Sequence, residues 1–138
     1  MKLILSIFLL LLPIFIFSQK LENIDGEYQV KMKYSVDNKN VDFIYNNAYN
    51  WITDEFLEVK DFKGISSIKS RMIRTTVQEG YLSFQIEIIC HDGFFISKFS
   101  KFRYKKRKIK KRHISDINKY LFKLCISMQY YIRYEIKI

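Results

Sequence analysis

The segment YLSFQIEIICHDGFFISKFSKFRY, residues 81–104, decides the fold of this chain. In its first part apolar and polar side chains alternate, as in a strand with one buried face. The apolar face holds Leu82, Phe84, Ile86, Ile88 and Cys90, and the polar face holds Ser83, Gln85 and Glu87. His91-Asp92-Gly93 is a hairpin signal, and the irregular strand predicted from Phe94 to Tyr104 is expected to contain a β-bulge. The segment therefore predicts two paired strands of a sheet.

The residues before this hairpin predict a further strand and a helix. Glu27 to Val36 alternates in the same way and predicts a half-buried strand. Asn40 can cap a helix, which is predicted from Val41 to Glu55 because apolar residues recur there at helical spacing. These residues are Ile44, Ala48, Trp51 and Ile52, with Tyr45 at the edge.

Two shorter strands are predicted between this helix and the hairpin. They run from Phe56 to Lys60 and from Ile65 to Met72. A turn at residues 61–64 is expected to join them, because Gly64 can supply a positive φ.

A last helix follows the hairpin. Ser115 or Asp116 is its predicted cap, and an apolar stripe at helical spacing runs from Ile117 to Met128. The predicted order is β-α-β-β-β-β-α. This is an α+β fold, an antiparallel sheet of about five strands covered on one face by two helices.

Several residues of these elements also match a family pattern: Ile44-Tyr45, Ala48, Trp51-Ile52, Asp61, Gly64-Ile65, Tyr81, Phe84, Ile86, Ile88 and Asp92-Gly93. Through them, residues 27–104 resemble the bacterial domain of unknown function 4468. The resemblance implies a TATA-binding-protein-like fold in a protein that follows a signal peptide. That family has no established activity, so the resemblance implies a shape and no catalytic residues. Duplex DNA is not an expected partner of an exported protein.

The first residues predict export. Ser6 is the only polar residue between Leu3 and Phe17, and Lys2 precedes this apolar core. With the small residue Ser18 after it, the pattern predicts a secretory signal peptide cleaved near Ser18. A retained anchor is the alternative, although the core is shorter than the roughly 20 residues of a spanning helix. The expected destination is the periplasm, the cell envelope or the extracellular space.

The predicted organisation is a signal peptide at 1–18, a short linker at 19–26 and a single α+β domain at 27–138. The formal charge of +10 is distributed unevenly over it. Residues 19–97 hold nine Lys/Arg and twelve Asp/Glu, whereas residues 98–138 hold fourteen and two. A lysine-rich composition alone does not explain so local an asymmetry.

The basic segment at 98–112 contains ten Lys/Arg and no acidic residue. Its candidate polyanion-binding residues are Lys105, Lys106, Arg107, Lys108, Lys110, Lys111 and Arg112. The interleaved Phe99, Phe102 and Tyr104 can stack on bases or insert at a membrane surface. The alternative is a solvated loop whose aromatic residues face the core. The expected partners are an anionic membrane surface, a polysaccharide or an envelope protein.

Cys90 and Cys125 are the only cysteines, and both lie on predicted apolar faces. Export favours a disulfide between them, and two separately buried thiols are the alternative. Cys90 and His91 are not expected to act as nucleophile and base, because neighbours in a strand point to opposite faces. The carboxylates Asp54, Glu55 and Glu58 are expected on the solvated surface. No catalytic residue, metal ligand or cofactor is predicted.

The sequence therefore predicts a small exported, non-enzymatic binding domain. The alternative function is that of an envelope-associated structural protein, attached electrostatically to anionic lipid or polysaccharide through the basic segment.

Overall fold

The computed structural model describes residues 20–56, 58–66 and 70–136, so the predicted signal peptide lies outside the described residues. Within these ranges the chain forms seven strands and two helices. They are β1 (Glu22–Ile24), β2 (Glu27–Ser35), α1 (Val41–Glu55), β3 (Glu58–Ser66), β4 (Arg71–Glu79), β5 (Leu82–His91), β6 (Phe94–Tyr104), β7 (Arg107–Lys108) and α2 (Lys111–Tyr134). The predicted α+β class is confirmed.

The strands form one antiparallel sheet in the order β1-β2-β6-β5-β4-β3. β6 lies between β2 and β5, and its last residues also pair with β7. Phe99 of β6 is in register with Val30 of β2 on one side and with Ile86 of β5 on the other. Residues in register share a face of the sheet. The apolar residues of these strands therefore form one continuous surface.

Both helices lie on this apolar side. α1 packs on β4, β5 and β6, and α2 packs against α1. The largest fully buried side chains of this layer are Trp51, Phe84, Phe95, Phe99 and Phe102. Burial of each such ring contributes roughly 1.5–3 kcal/mol. Among the described residues no helix covers the opposite face, where the imidazole of His91 stacks on the ring of Phe94 at 4.5 Å.

The prediction of α1 is confirmed from cap to end. The side-chain oxygen of Asn40 accepts a hydrogen bond from the amide of Phe43 at 2.9 Å. Asp92 in the β5–β6 hairpin accepts another from the amide of Val41 at 2.7 Å. These two bonds satisfy amides at the start of the helix that have no partner within it. The hairpin thereby fixes where α1 begins.

The predicted division of residues 56–72 is wrong. β3 is a single strand, and Gly64 pairs with Ile73 inside it instead of forming a turn. A register shift between Lys60 and Lys63 absorbs the irregular residues of β3. The next strand is β4, in which Ile73, Thr75 and Val77 are buried at a period of two. The turn chemistry at residues 61–64 therefore marks a bulge.

Two further boundaries differ from the prediction. Glu22–Ile24, expected within the linker, form β1, whose residues pair with the first three residues of β2. α2 begins at Lys111, before the predicted caps Ser115 and Asp116, so the basic segment extends into a helix. The predicted irregularity of β6 is confirmed by a shift in its pairing with β5 between Ser83 and Gln85. Lys101 adopts a positive φ of 55° in the same stretch of β6.

Candidate functional site

Several strand ends and the start of α2 lie together at one end of the molecule, which we call the basic end. Leu82 at the start of β5 is in register with Glu79 and with Tyr104, and Tyr104 pairs with Arg107 of β7. The ring of Tyr104 stacks on that of His113 at 4.8 Å, which places the start of α2 beside these strand ends. The basic end is therefore built from two hairpins and one helix terminus.

All seven candidate polyanion-binding residues lie at the basic end with exposed side chains: Lys105, Lys106, Arg107, Lys108, Lys110, Lys111 and Arg112. In the described part of the chain, Glu27 is the only carboxylate within 4 Å of any of them, at 3.9 Å from Nζ of Lys108. Exposed acidic residues also stand close in sequence to the elements of this end, at Asp25, Glu79 and Asp116. Cations therefore outnumber the neighbouring anions, and the surface is strongly positive.

Arg103 belongs to the same basic segment but is neutralised. Its guanidinium donates hydrogen bonds to both carboxylate oxygens of Glu27, at 2.7 and 3.0 Å. These hydrogen bonds, aided by the positive charge of Arg103, hold the pKa of Glu27 below its usual value of 4.5. Arg103 therefore ties β6 to the start of β2 and adds no net charge to the surface.

The turn between β6 and β7 consists of Lys105 and Lys106, both in the left-handed region, with φ of 51° and 66°. Such two-residue hairpin turns favour Asn-Gly or Asp-Gly, because those residues tolerate positive φ. A lysine there costs roughly 1–2 kcal/mol. The chain thus places two cations at the tip at the expense of backbone strain, and strain of this kind concentrates at functional positions.

The start of α2 also breaks a local rule. Lys110, Lys111 and Arg112 stand at its first positions, and its first turn contains no acidic residue. The helix dipole is positive at this end and disfavours cations. The amide of Lys110 donates to Nδ1 of His113 at 3.0 Å, which fixes the imidazole over the start of the helix. The positive end of the helix adds to the potential of the basic end.

The aromatic residues of the basic segment are divided between the core and the surface. Phe99 and Phe102 are buried in the core, so the alternative in which the aromatic residues face the core is confirmed for these two. Tyr104 is exposed and meets Tyr81, which lies in the β4–β5 hairpin, with 6.1 Å between ring centroids. Sequence reasoning gave Tyr81 no binding role. Its signal is the register, because Leu82, the next residue, pairs with Tyr104.

A shallow cavity of about 210 Å³ opens at the basic end. It is lined by Leu82, Tyr104, His113, Asp116, Ile117 and Tyr120. Pockets for drug-sized molecules have volumes of roughly 300–1,000 Å³. The geometry at this end therefore suits contact with an extended surface better than enclosure of a small molecule.

The remaining candidates have structural positions. Cys90 and Cys125 are free thiols and both are buried; burial raises the pKa of Cys90 to about 12 and that of Cys125 to about 11. Asp54 accepts a hydrogen bond from the hydroxyl of Tyr131 at 2.7 Å, and Glu55 accepts one from Ser127 at 3.4 Å. Asp54 and Glu55 therefore join α1 to α2, whereas the side chain of Glu58 lies outside the described part.

Among the described residues, no group of three or more His, Cys, Asp or Glu side chains is placed to hold a metal ion. Neither of the two helices in the described ranges is long and apolar enough to cross a membrane.

No protein-family model matches this sequence, and no curated protein matches it. A similar fold occurs in the crystal structure of a TBP-like protein from Parabacteroides distasonis, with a TM-score of 0.58. The similarity covers 83% of this chain and 97% of that chain, at 10% sequence identity. At that identity the likeness shows the fold alone. The fold of this chain is TBP-like.

Proposed function

We propose that this protein is a small exported, non-enzymatic binding domain, similar to the bacterial domain of unknown function 4468. We propose further that it attaches to anionic lipid or polysaccharide through its basic end. The observation that carries the proposal is the set of seven exposed cations at residues 105–112. Within the described ranges only one of them has a carboxylate within 4 Å. So dense a charge is most stable when counterions or an anionic partner lie close to it.

The expected affinity is modest. Each Lys or Arg near an anionic surface contributes about 1 kcal/mol, so four or five engaged side chains give about 4–5 kcal/mol. A single contact of this strength corresponds to a dissociation constant near the millimolar range. Attachment of this kind is reversible, and it weakens as salt screens the charges.

The apolar start of the chain supports export as part of the proposal. A core from Leu3 to Phe17 followed by Ser18 is typical of a cleaved secretory leader. Mass spectrometry of exported protein is expected to show a chain that begins after Ser18. An intact Met1 would instead favour a retained anchor.

The test of attachment compares two variants with the same change in net charge. In the first, Lys105, Lys106, Arg107 and Lys108 become Gln. In the control, the exposed lysines Lys31, Lys33, Lys39 and Lys123, which lie away from the basic end, become Gln. Co-sedimentation with vesicles containing phosphatidylglycerol, and retention on immobilised polygalacturonate, are measured at low and high salt.

We expect the first variant to lose most of its adsorption, and the control to keep it. Equal losses in both variants would mean that net charge alone governs binding. Adsorption of the parent to neither material, together with capture of one discrete envelope protein in a pulldown, would replace the proposal with a protein-binding module. Salt-sensitive retention of the parent on lipid or glycan supports the proposal.

A further inference from the structure

Two tyrosines are exposed at the basic end, Tyr81 in the β4–β5 hairpin and Tyr104 at the end of β6. Tyr81 is 66% exposed and Tyr104 is 36% exposed. The amide of Lys105 donates to the carbonyl of Tyr81 at 2.9 Å, which locks the two hairpins together. Nζ of Lys105 lies 5.1 Å from the ring centroid of Tyr81 and 5.8 Å from that of Tyr104. The result is a pair of exposed aromatic rings with the ammonium group of Lys105 beside both of them.

From this geometry we propose that the anionic partner is a lipid bilayer, and that Tyr81 and Tyr104 enter its headgroup region while the surrounding cations contact lipid phosphates. The inference rests on the proposed function, because it identifies the surface to which the basic end attaches. Tyrosine is enriched at membrane interfaces, where its ring contacts the acyl boundary and its hydroxyl stays hydrated. A lysine beside such rings can bury its methylene stem and extend its ammonium group towards the headgroups.

The arrangement favours a lipid bilayer over a polysaccharide because it places charges and exposed rings together at the ends of two hairpins. The cations can contact the charged groups of either material, and an aromatic ring can stack on the C–H face of a sugar, but only a bilayer offers an apolar layer that takes up both rings at once. The left-handed backbone of Lys105 and Lys106 holds both charges at the same tip as the rings. A bilayer with anionic headgroups gives favourable contacts to both the charges and the rings.

Fluorescence of a tryptophan placed at the tip tests this proposal. In Tyr81→Trp the new indole reports on the tip, while the native Trp51 is buried and contributes a constant background. The matched control is Tyr134→Trp, since Tyr134 is 59% exposed but lies at the opposite end of α2. Both variants are titrated with equimolar phosphatidylglycerol and phosphatidylcholine vesicles, with pure phosphatidylcholine vesicles, and with polygalacturonate.

We expect the emission of Tyr81→Trp to shift to the blue with anionic vesicles and to be quenched by brominated acyl chains, while that of Tyr134→Trp stays unchanged. Tyr81→Ser, a change at an exposed position, is expected to weaken partitioning about tenfold without lowering the melting temperature.

Adsorption to anionic vesicles without a shift at position 81 would overturn the insertion and leave the proposed function standing, since charge alone would then hold the protein. Binding to polygalacturonate with no binding to vesicles would also overturn the insertion and retain the proposed function. Adsorption to neither material would overturn both.

Discussion

Arg103 and Glu27 form a two-point ion pair, with hydrogen bonds of 2.7 and 3.0 Å from the guanidinium to the two carboxylate oxygens. The pair joins the end of β6 to the start of β2, so it fastens the framework that carries the basic end. Its two side chains are about one-third exposed, which limits its contribution to stability. Arg103 is therefore a structural residue within a segment whose other cations, apart from the half-buried Lys98, are exposed to solvent.

Removing both charges of the Glu27–Arg103 pair tests its role in stability separately from any role in binding. The double variant Glu27→Gln/Arg103→Gln keeps the net charge of the protein. We expect its free energy of unfolding to fall by about 0.5–1 kcal/mol, because a paired, partly exposed ion pair is lost. Adsorption to anionic vesicles is expected to stay the same. A marked loss of adsorption at unchanged stability would show that Arg103 itself contacts the anionic surface.

The same pair predicts a pH dependence. Because the pKa of Glu27 is held below 4.5 in the folded protein, the unfolded chain binds more protons at this residue in mildly acidic solution. The pair therefore stabilises the fold at neutral pH, and its contribution is lost as the pH falls through the folded pKa. Urea unfolding of the parent and of Glu27→Gln is expected to differ near pH 7 and to converge at low pH. A constant difference over this range would contradict the assignment.

Trp51 is the residue whose loss is expected to cost the most. It is 1% exposed, contacts Phe56 edge to face at 5.7 Å, and donates from its indole to Ser127 at 3.1 Å. Trp51→Ala is expected to lower the free energy of unfolding by about 3–5 kcal/mol. Thermal unfolding checks the prediction, with Ser127→Ala as a control that removes the hydrogen bonds of Ser127 with Trp51 and Glu55 and keeps the indole ring. An unchanged melting temperature in Trp51→Ala would mean that α1 does not pack as described.

Cys90 and Cys125 are expected not to react with alkylating reagents in the native protein. The raised pKa values of Cys90 and Cys125 leave almost no thiolate at pH 8, and both side chains are buried. Iodoacetamide should label neither residue before unfolding and both residues after unfolding without reductant. Labelling of neither under denaturing, non-reducing conditions would reveal a disulfide.

Lys106 is expected to strengthen adsorption to anionic vesicles while its left-handed backbone lowers the stability of the fold. Lys106→Gly removes a side chain from a left-handed position and is expected to raise stability by about 1 kcal/mol. Lys106→Gln removes the same charge and keeps the strain. Both variants should adsorb more weakly to anionic vesicles, and only the glycine variant should melt at a higher temperature. Equal melting temperatures would show that the turn is not strained.

Local pattern was sufficient to predict some elements and insufficient for others. α1 and β5 were predictable because each has an uninterrupted period of apolar residues. Asn40 also marks the start of α1. β6 was predictable from the hairpin signal at Asp92-Gly93 in spite of its irregular pattern. β3 was divided wrongly because a bulge near Lys63 interrupts its pattern. β1 has only three residues, and its pairing with β2 defines it.

The candidate site, too, could be predicted only in part from local sequence pattern. The seven cations are adjacent in sequence and were all identified, but the start of α2 at Lys111 was missed because cations are unusual in a first helical turn. Tyr81 was missed because its contact with Tyr104 depends on the register between β5 and β6. Departures from local rules at Lys106 and Lys111 are informative for that reason, since functional positions are where such rules are most often broken.

The length of α2 determines how a tethered molecule would stand. Its 24 residues span about 36 Å, from the basic end to the far end of β2. There Nε of Arg133 donates a hydrogen bond to the carbonyl of Ser35 at 3.1 Å. In a domain that is held at a surface by its basic end, the last residues of α2 lie on the side away from that surface. The Asp92-Gly93 hairpin lies at the other end of β5 and β6, and is therefore held away from the support. Within the described residues no helix covers the other face of the sheet, so attachment through the basic end would leave this face open to a second molecule.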